Sequence, residues 1–202
     1  MEPELTTEDR EHIKQGLRQK YTKVAVNPRG LFQYPTGREG LEALKYDSSV
    51  IQALSETTVA SYCGVGNPFS LGPILRGEKV LDIGCGGGVD TSAAALMAGP
   101  TGSVIGVDMI PEMLDRARKN LSSASHANVT FQEASAESLP FSDERFDVVI
   151  SNGVFNLIPN KAKALKEAFR VLRPGGRLMI ADQVLTGELP EEIRIRVENW
   201  AK

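Results

Sequence analysis

The chain is poor in the residues that most often carry metal, redox and acid–base chemistry: two cysteines, two histidines and one tryptophan in 202 residues. Cys63 and Cys85 are too few for a disulfide framework. Free thiols suit a reducing compartment, so a cytoplasmic location is expected. His12 lies among charged residues and His126 falls in "SSASHANV", which reads as a surface loop. Neither has a neighbour in sequence that suggests base catalysis, and no metal site is expected. No apolar run is long enough to span a bilayer. The opening "MEPELTTEDREHIKQ" is charged and has no apolar signal core. Lys and Arg are interspersed with Asp and Glu, the net charge is -3, and no basic stripe stands out. A nucleic-acid surface is therefore not expected.

What is present suits one domain with a substantial core: 41% of residues are hydrophobic and 24% charged. "TTEDREHIKQGLRQKYTKVA" opens on threonines able to cap a helix and places Ile13, Leu17, Tyr21 and Val24 at helical spacing. "NPRGLFQYPTGREG" is turn-rich, "REGLEALKYDSSVIQAL" predicts two short helical pieces, and "SYCGVGNPFSLG" reads as a loop. From Lys79 onward strand and helix alternate. Strands are expected at "KVLDIG", "GSVIGVD", "VTFQEAS", "FDVVISNG" and "RLMIADQV". Helices are expected at "DTSAAALMA", "PEMLDRARKNLSS", "KAKALKEAFRVL" and "PEEIRIRVENWA". On the third of these Leu165, Ala168, Phe169 and Leu172 align as a core face. Such alternation predicts an α/β fold, a doubly wound and mostly parallel five-strand sheet covered on both faces. Residues 1–72 form an N-terminal helical lid and residues 73–202 the core. The ligand then sits at the carboxyl ends of the strands, where strand order reverses.

"VLDIGCGGGVD" lies at that place. A dinucleotide turn needs G-x-G-x-x-G/A, but from Gly84 the third position is Val89. No Lys-Ser or Lys-Thr follows, which excludes a phosphate-cradling P-loop. What fits is D-x-G-x-G-x-G: Asp82, Gly84, Gly86 and Gly88. S-adenosylmethionine carries no phosphate, and a glycine turn lets its aminoacyl part lie against backbone. Asp108, at the end of the second strand, is placed to accept both ribose hydroxyls, with Met109 packing on the adenine.

Taken together, "VLDIGCGGGVD", "VIGVDMIPEMLDRAR", "AESLPF", "FDVVISNGVFNL" and "AFRVLRPGGRL" resemble class I S-adenosylmethionine-dependent methyltransferases, over about Gly64 to Val184. Within that superfamily "GVGNPFSLG", "GPTGSVIGVDMIPEML" and "ISNGVFNL" resemble the arsenite methyltransferase branch. The resemblance implies cofactor contacts at Asp82, Gly84, Gly86, Gly88, Asp108 and Met109. It implies Ala136 and Glu137 near the adenine amino group, and Asn152 beside the methionine moiety. Tyr62, Gly64 and Asn67 fall in the loop that closes over the cofactor in that branch.

The chain also departs from the pattern. Gly153 stands where arsenite methyltransferases have a cysteine after Ser-Asn. Arsenic(III) needs two or three converging thiolates. Only Cys63 lies in a plausible substrate loop, and Cys85 sits inside the glycine turn, where a small residue is wanted. The sheet of the family usually closes with an antiparallel strand hairpin, for which no sequence remains before Lys202. The expectation is a methyltransferase acting on a small-molecule acceptor. Arsenite or another metalloid is the alternative, and a cofactor-binding protein without turnover is a further one. Asp82 either holds backbone amides of the turn or contacts the cofactor, Asp90 is read as a helix cap, and no general base is identified.

Overall fold

The computed structural model describes residues 5–122 and 128–184, with Thr186 and Trp200. The chain begins with α1 (Thr7–Val26), α2 (Gly37–Ala43), α3 (Ser48–Ala53) and α4 (Glu56–Ala60). After a 3-10 turn at Pro68–Leu71 the alternating block follows: β1 (Lys79–Ile83), α5 (Val89–Ala98), β2 (Ser103–Asp108), α6 (Pro111–Ser122), β3 (Val129–Glu133), β4 (Phe146–Asn152), α7 (Lys161–Val171) and β5 (Leu172–Ala181). All neighbouring strands pair in parallel, in the order β3-β2-β1-β4-β5. Strand order reverses between β1 and β4, which opens a crevice at their carboxyl ends.

Central β1 reads as a continuous apolar run because helices cover both its faces, and Val80, Leu81 and Ile83 are at most 1% exposed. One face packs Leu81, Ile83, Val149 and Phe146 against the Ala164, Ala168 and Val171 stripe of α7. The other packs Val80, Val104, Val148 and Ile150 against Ala94, Ala95 and Ala98 of α5.

Helix α1 starts at a reciprocal cap between Thr6 and Asp9. It buries Ile13, Leu17 and Val24, each contributing about 1.5–3 kcal/mol of apolar burial. Val24 meets Ile110 and Met113 of the α6 region, so α1 packs against α6.

The sequence pattern misplaces three features. First, α4 falls in a stretch without a periodic apolar signal. It forms because Ser55 accepts the Thr58 amide as a cap and Val59 packs on Leu41 and Tyr62. Second, α7 faces the sheet with its alanines, which allow close approach, and leaves Leu165 and Phe169 36% and 66% exposed. Third, "RPGG" does not precede β5 but bulges out of it. Leu172 pairs with Phe146, and pairing then resumes at Arg177 opposite Val148. The last expected helix, apart from Trp200, lies outside the described residues, as does His126. The Trp200 indole donates to the Leu157 carbonyl at 2.8 Å.

Candidate functional site

The turn after β1 closes on itself and on β2. Gly84 and Cys85 donate their amides to the Val107 carbonyl, at 2.7 and 2.9 Å, and Gly88 donates to Cys85 at 2.8 Å. Gly84, Gly86 and Gly88 all have φ between +51° and +79°, a region that disfavours any Cβ. The turn exposes backbone at the carboxyl end of the sheet.

At the end of β2 the Asp108 carboxylate accepts the amides of Gly86 and Ile110, both at 2.9 Å. Its oxygens keep lone pairs for further donors. Burial pushes this carboxyl up to about 6, against the lowering effect of those amide bonds. Asp82, on β1 beneath the turn, accepts the Thr91 hydroxyl at 2.6 Å and is 2% exposed. Burial and the nearby Asp90 carboxylate push its value upward. Asp90 does not cap α5, whose N-cap is Gly88. Its side chain turns inward and accepts the Tyr46 hydroxyl at 2.7 Å and the Asn152 amide at 2.9 Å.

One cavity collects most of the expected site. Asp82, Gly84, Gly86, Asp108, Met109, Ala136, Glu137, Asn152, Tyr62 and Gly64 all line it. Gly88 and Asn67 do not. A Cβ at Gly88 would come within 2.9 Å of Phe131 and 3.1 Å of Ala117, so this glycine lets α5 start close against β3 and α6. Asn67 caps the 3-10 turn through Phe69 and donates to the Lys45 carbonyl. Glu137 accepts the Asn160 amide at 3.0 Å, and Met109 lies at the rim, 39% exposed.

The sequence motifs name no site residue on α1. Lys14, Leu17 and Tyr21 of α1 face the same cavity, as does Asp90. The signal for α1 is its apolar stripe, with Ile13, Leu17, Tyr21 and Val24 at helical spacing. Asp90 and Tyr46 are 44 residues apart, and nothing local announces their contact.

Asn152 joins the loop before the 3-10 turn to the end of β4. Its Oδ1 accepts the amides of Val65 and Gly66, at 2.9 and 3.1 Å, and its Nδ2 donates to the Gly66 carbonyl at 2.8 Å. A Cβ at Gly64 would run into the Asn152 carboxamide and the Tyr62 hydroxyl, so glycine is needed for the loop to lie this close.

Cys63, Cys85 and Gly153 all line this cavity. Cys63 is half-buried in the cavity wall, and burial with the charges of Asp108 and Asp90 pushes its thiol up to about 12. The Cys85 side chain lies against Gly106, and burial raises its thiol as well. A Cβ at Gly153 would meet the Val65 methyls at 3.3 Å. Among the described residues no cluster of three metal-ligating side chains occurs.

The parallel sheet, its reversal point and the glycine turn with Asp108 define a nucleoside-binding transferase domain of the Rossmann-like class. Residues 74–202 match the methyltransferase domain family, and the chain belongs to it. Over 201 residues the chain is 36% identical to the arsenite methyltransferase of Halobacterium salinarum, covering 93% of this chain and 51% of that protein. It is 42% identical over 111 residues to a ubiquinone/menaquinone biosynthesis C-methyltransferase of Pasteurella multocida, covering 54% of this chain and 41% of the relative. In structure it resembles an arsenic(III) S-adenosylmethionine methyltransferase of Chlamydomonas reinhardtii at TM-score 0.62. The identity there is 34%, and the match covers 81% of this chain and 54% of the other. The chain spans about half the length of the curated relatives it matches.

The family's cofactor is S-adenosylmethionine, and the donor set fits it. The described lining holds the carboxylates of Asp82, Asp90, Asp108 and Glu137, and its one basic side chain among the described residues is Lys14 of α1. Lys14 is already paired with Glu11 at 2.9 Å. A pyrophosphate would meet three buried carboxylates there, whereas a cofactor bearing a sulfonium and an ammonium meets complementary charge. Among the described residues no helix is long and apolar enough to cross a membrane.

Proposed function

We propose that this chain is the catalytic domain of an S-adenosylmethionine-dependent methyltransferase acting on a small-molecule acceptor. The observation that carries it is the acidic, glycine-floored cavity, with Asp108 at its ribose end and Asn152 at the other. S-adenosylmethionine, when bound, supplies an electrophilic methyl group on a good, neutral leaving group. Asp108 would accept the ribose diol. The amides and carbonyls of the glycine turn would border the aminoacyl arm, with Ala136 and Glu137 toward the adenine. Residues 1–72 act as the lid and 73–202 as the core, which is supported by Leu17 and Tyr21 sharing the cavity with the glycine turn. Burial by the lid excludes water, and alignment supplies most of the rate.

No histidine is among the described lining residues. An acceptor that brings its own soft or carbanionic nucleophile therefore fits better than an alcohol needing a strong base. The two unpaired cysteines support a cytoplasmic protein. The interspersed charge, net -3, supports a small-molecule acceptor over nucleic acid.

A second reading, methyl transfer to arsenite, is favoured by the Halobacterium salinarum relative. Against it stand the two high-pKa thiols and the apolar surroundings of Gly153. The test is formation of S-adenosylhomocysteine from S-adenosylmethionine against thiol, carbon, amine and arsenite acceptors. Turnover with an organic acceptor and none with arsenite supports the first reading. Arsenite-dependent turnover supports the second. Tight binding without turnover on any acceptor supports a non-catalytic cofactor-binding role.

A further inference from the structure

Asp90 is 8% exposed and lies in the first turn of α5, yet its carboxylate borders the cavity instead of capping the helix. Both oxygens are held: Oδ1 by the Tyr46 hydroxyl at 2.7 Å, Oδ2 by the Asn152 amide at 2.9 Å. Both donors are neutral. The titratable groups that feel it are Tyr46, between α2 and α3, Tyr62 and Cys63 of the lid loop, and Asp82 of β1. None of them is a cation, and Asp82 adds like charge. A buried carboxylate that is oriented but not neutralised is costly to keep unless a positive ligand arrives.

On the reading that the cavity takes S-adenosylmethionine, two cationic groups are available, and only the α-ammonium has hydrogens to donate. Asp108 stands at the end of β2, on the ribose side. Asp82 lies deeper and spends one oxygen on Thr91. Asp90 is bonded directly to Asn152, the residue expected beside the methionine arm.

We propose that Asp90 is the binding residue for the α-ammonium of the cofactor, and that Tyr46 and Asn152 are positioning residues that aim its carboxylate. Asn152 also holds the amides of Val65 and Gly66, and Tyr62 donates to the Gly66 carbonyl at 2.8 Å. The same side chain thus hooks the lid loop and orients the anion, so loop closure and ammonium recognition share one residue.

The experiment compares calorimetric affinities for S-adenosylhomocysteine and 5'-methylthioadenosine, which keeps the adenine, ribose and sulfur but has no ammonium. For Asp90→Asn the expected result is at least a tenfold loss for S-adenosylhomocysteine and less than a twofold change for 5'-methylthioadenosine. Equal losses for both, or no loss for either, would overturn the assignment. If the unsubstituted protein binds neither compound, the cofactor reading itself falls and this assignment with it. Tyr46→Phe gives a second readout. Removing a donor from the carboxylate raises its pKa. The S-adenosylhomocysteine affinity of this variant should therefore match that of the unsubstituted protein at pH 8 and drop away at a higher pH on acidification. A pH profile that is unchanged, or a uniform loss at every pH, would contradict the positioning role.

Discussion

Gly86 donates its amide hydrogen to Asp108 at 2.9 Å, tying the glycine turn after β1 to the carboxylate that ends β2. The backbone of the turn and the acid proposed for the ribose hydroxyls are thus set by one another. Asp108→Ala should weaken S-adenosylhomocysteine binding at least tenfold, since each charge-assisted bond to a ribose hydroxyl is worth roughly 1.5–3 kcal/mol. Losing the Gly86 and Ile110 bonds should lower stability by only about 1–2 kcal/mol. Titration calorimetry with a parallel thermal melt checks both. An unchanged affinity would remove Asp108 from the site.

Thermal stability of the ligand-free protein should depend on pH with a definite sign. Asp108 is raised by burial to about 6, above the ~3.9 of an exposed aspartate. A carboxyl raised in the folded state stabilises the fold fully below its unfolded value and loses that contribution as pH climbs through its folded value. Asp82 and Asp90 are shifted in the same direction. The melting temperature should therefore fall from about pH 4 to about pH 6.5, and Asp108→Asn should flatten the slope. A melting temperature that rises across this window would contradict the buried, uncompensated carboxylates.

Two glycines of one turn should respond differently to alanine. At Gly88 the new Cβ meets the Phe131 ring and Ala117, with φ at +79°. Gly88→Ala should cost roughly 2–4 kcal/mol of stability, with cofactor affinity retained by the folded fraction. At Gly86 the nearest atom is the flexible end of Met113, at 3.1 Å, so Gly86→Ala should be milder for the fold and worse for binding. Denaturant melts and titration calorimetry separate the two effects. Equal behaviour of the two variants would sink the distinction.

Arsenite should bind weakly and without fixed stoichiometry. Gly153→Cys alone should not improve it, because a side chain there faces Val65 and the residue sits at φ +69°. Measuring bound arsenic per chain in the unsubstituted protein, Gly153→Cys and Cys63→Ser decides this. Stoichiometric binding that Cys63→Ser abolishes would move arsenite to first place.

The sheet was legible because most strands of the alternating block carry a short apolar stretch, bounded by glycines or acids and separated by helical patterns. The backbone geometry of that block depends on little else. Asp108 and the glycine turn were legible for the same reason: spacing along one segment puts them at adjacent strand ends. Features set by distant partners were not. Asp90 looked like a cap because the residue that turns it inward, Tyr46, lies between α2 and α3, 44 residues away. Asn67 looked like a cofactor neighbour because its loop position is right, but its carboxamide is used by Phe69 and Lys45. On α7 apolar spacing suggested Leu165 and Phe169 for the core, while close helix–sheet approach selected the alanines on the adjoining stripe.

The central claim is that the glycine turn and Asp108 serve a phosphate-free cationic nucleoside and not a dinucleotide. Parallel calorimetric titrations with S-adenosylhomocysteine and NAD test it most directly. The account predicts saturable one-site binding of S-adenosylhomocysteine and no heat of binding from NAD. Tight NAD binding with no response to S-adenosylhomocysteine would contradict it.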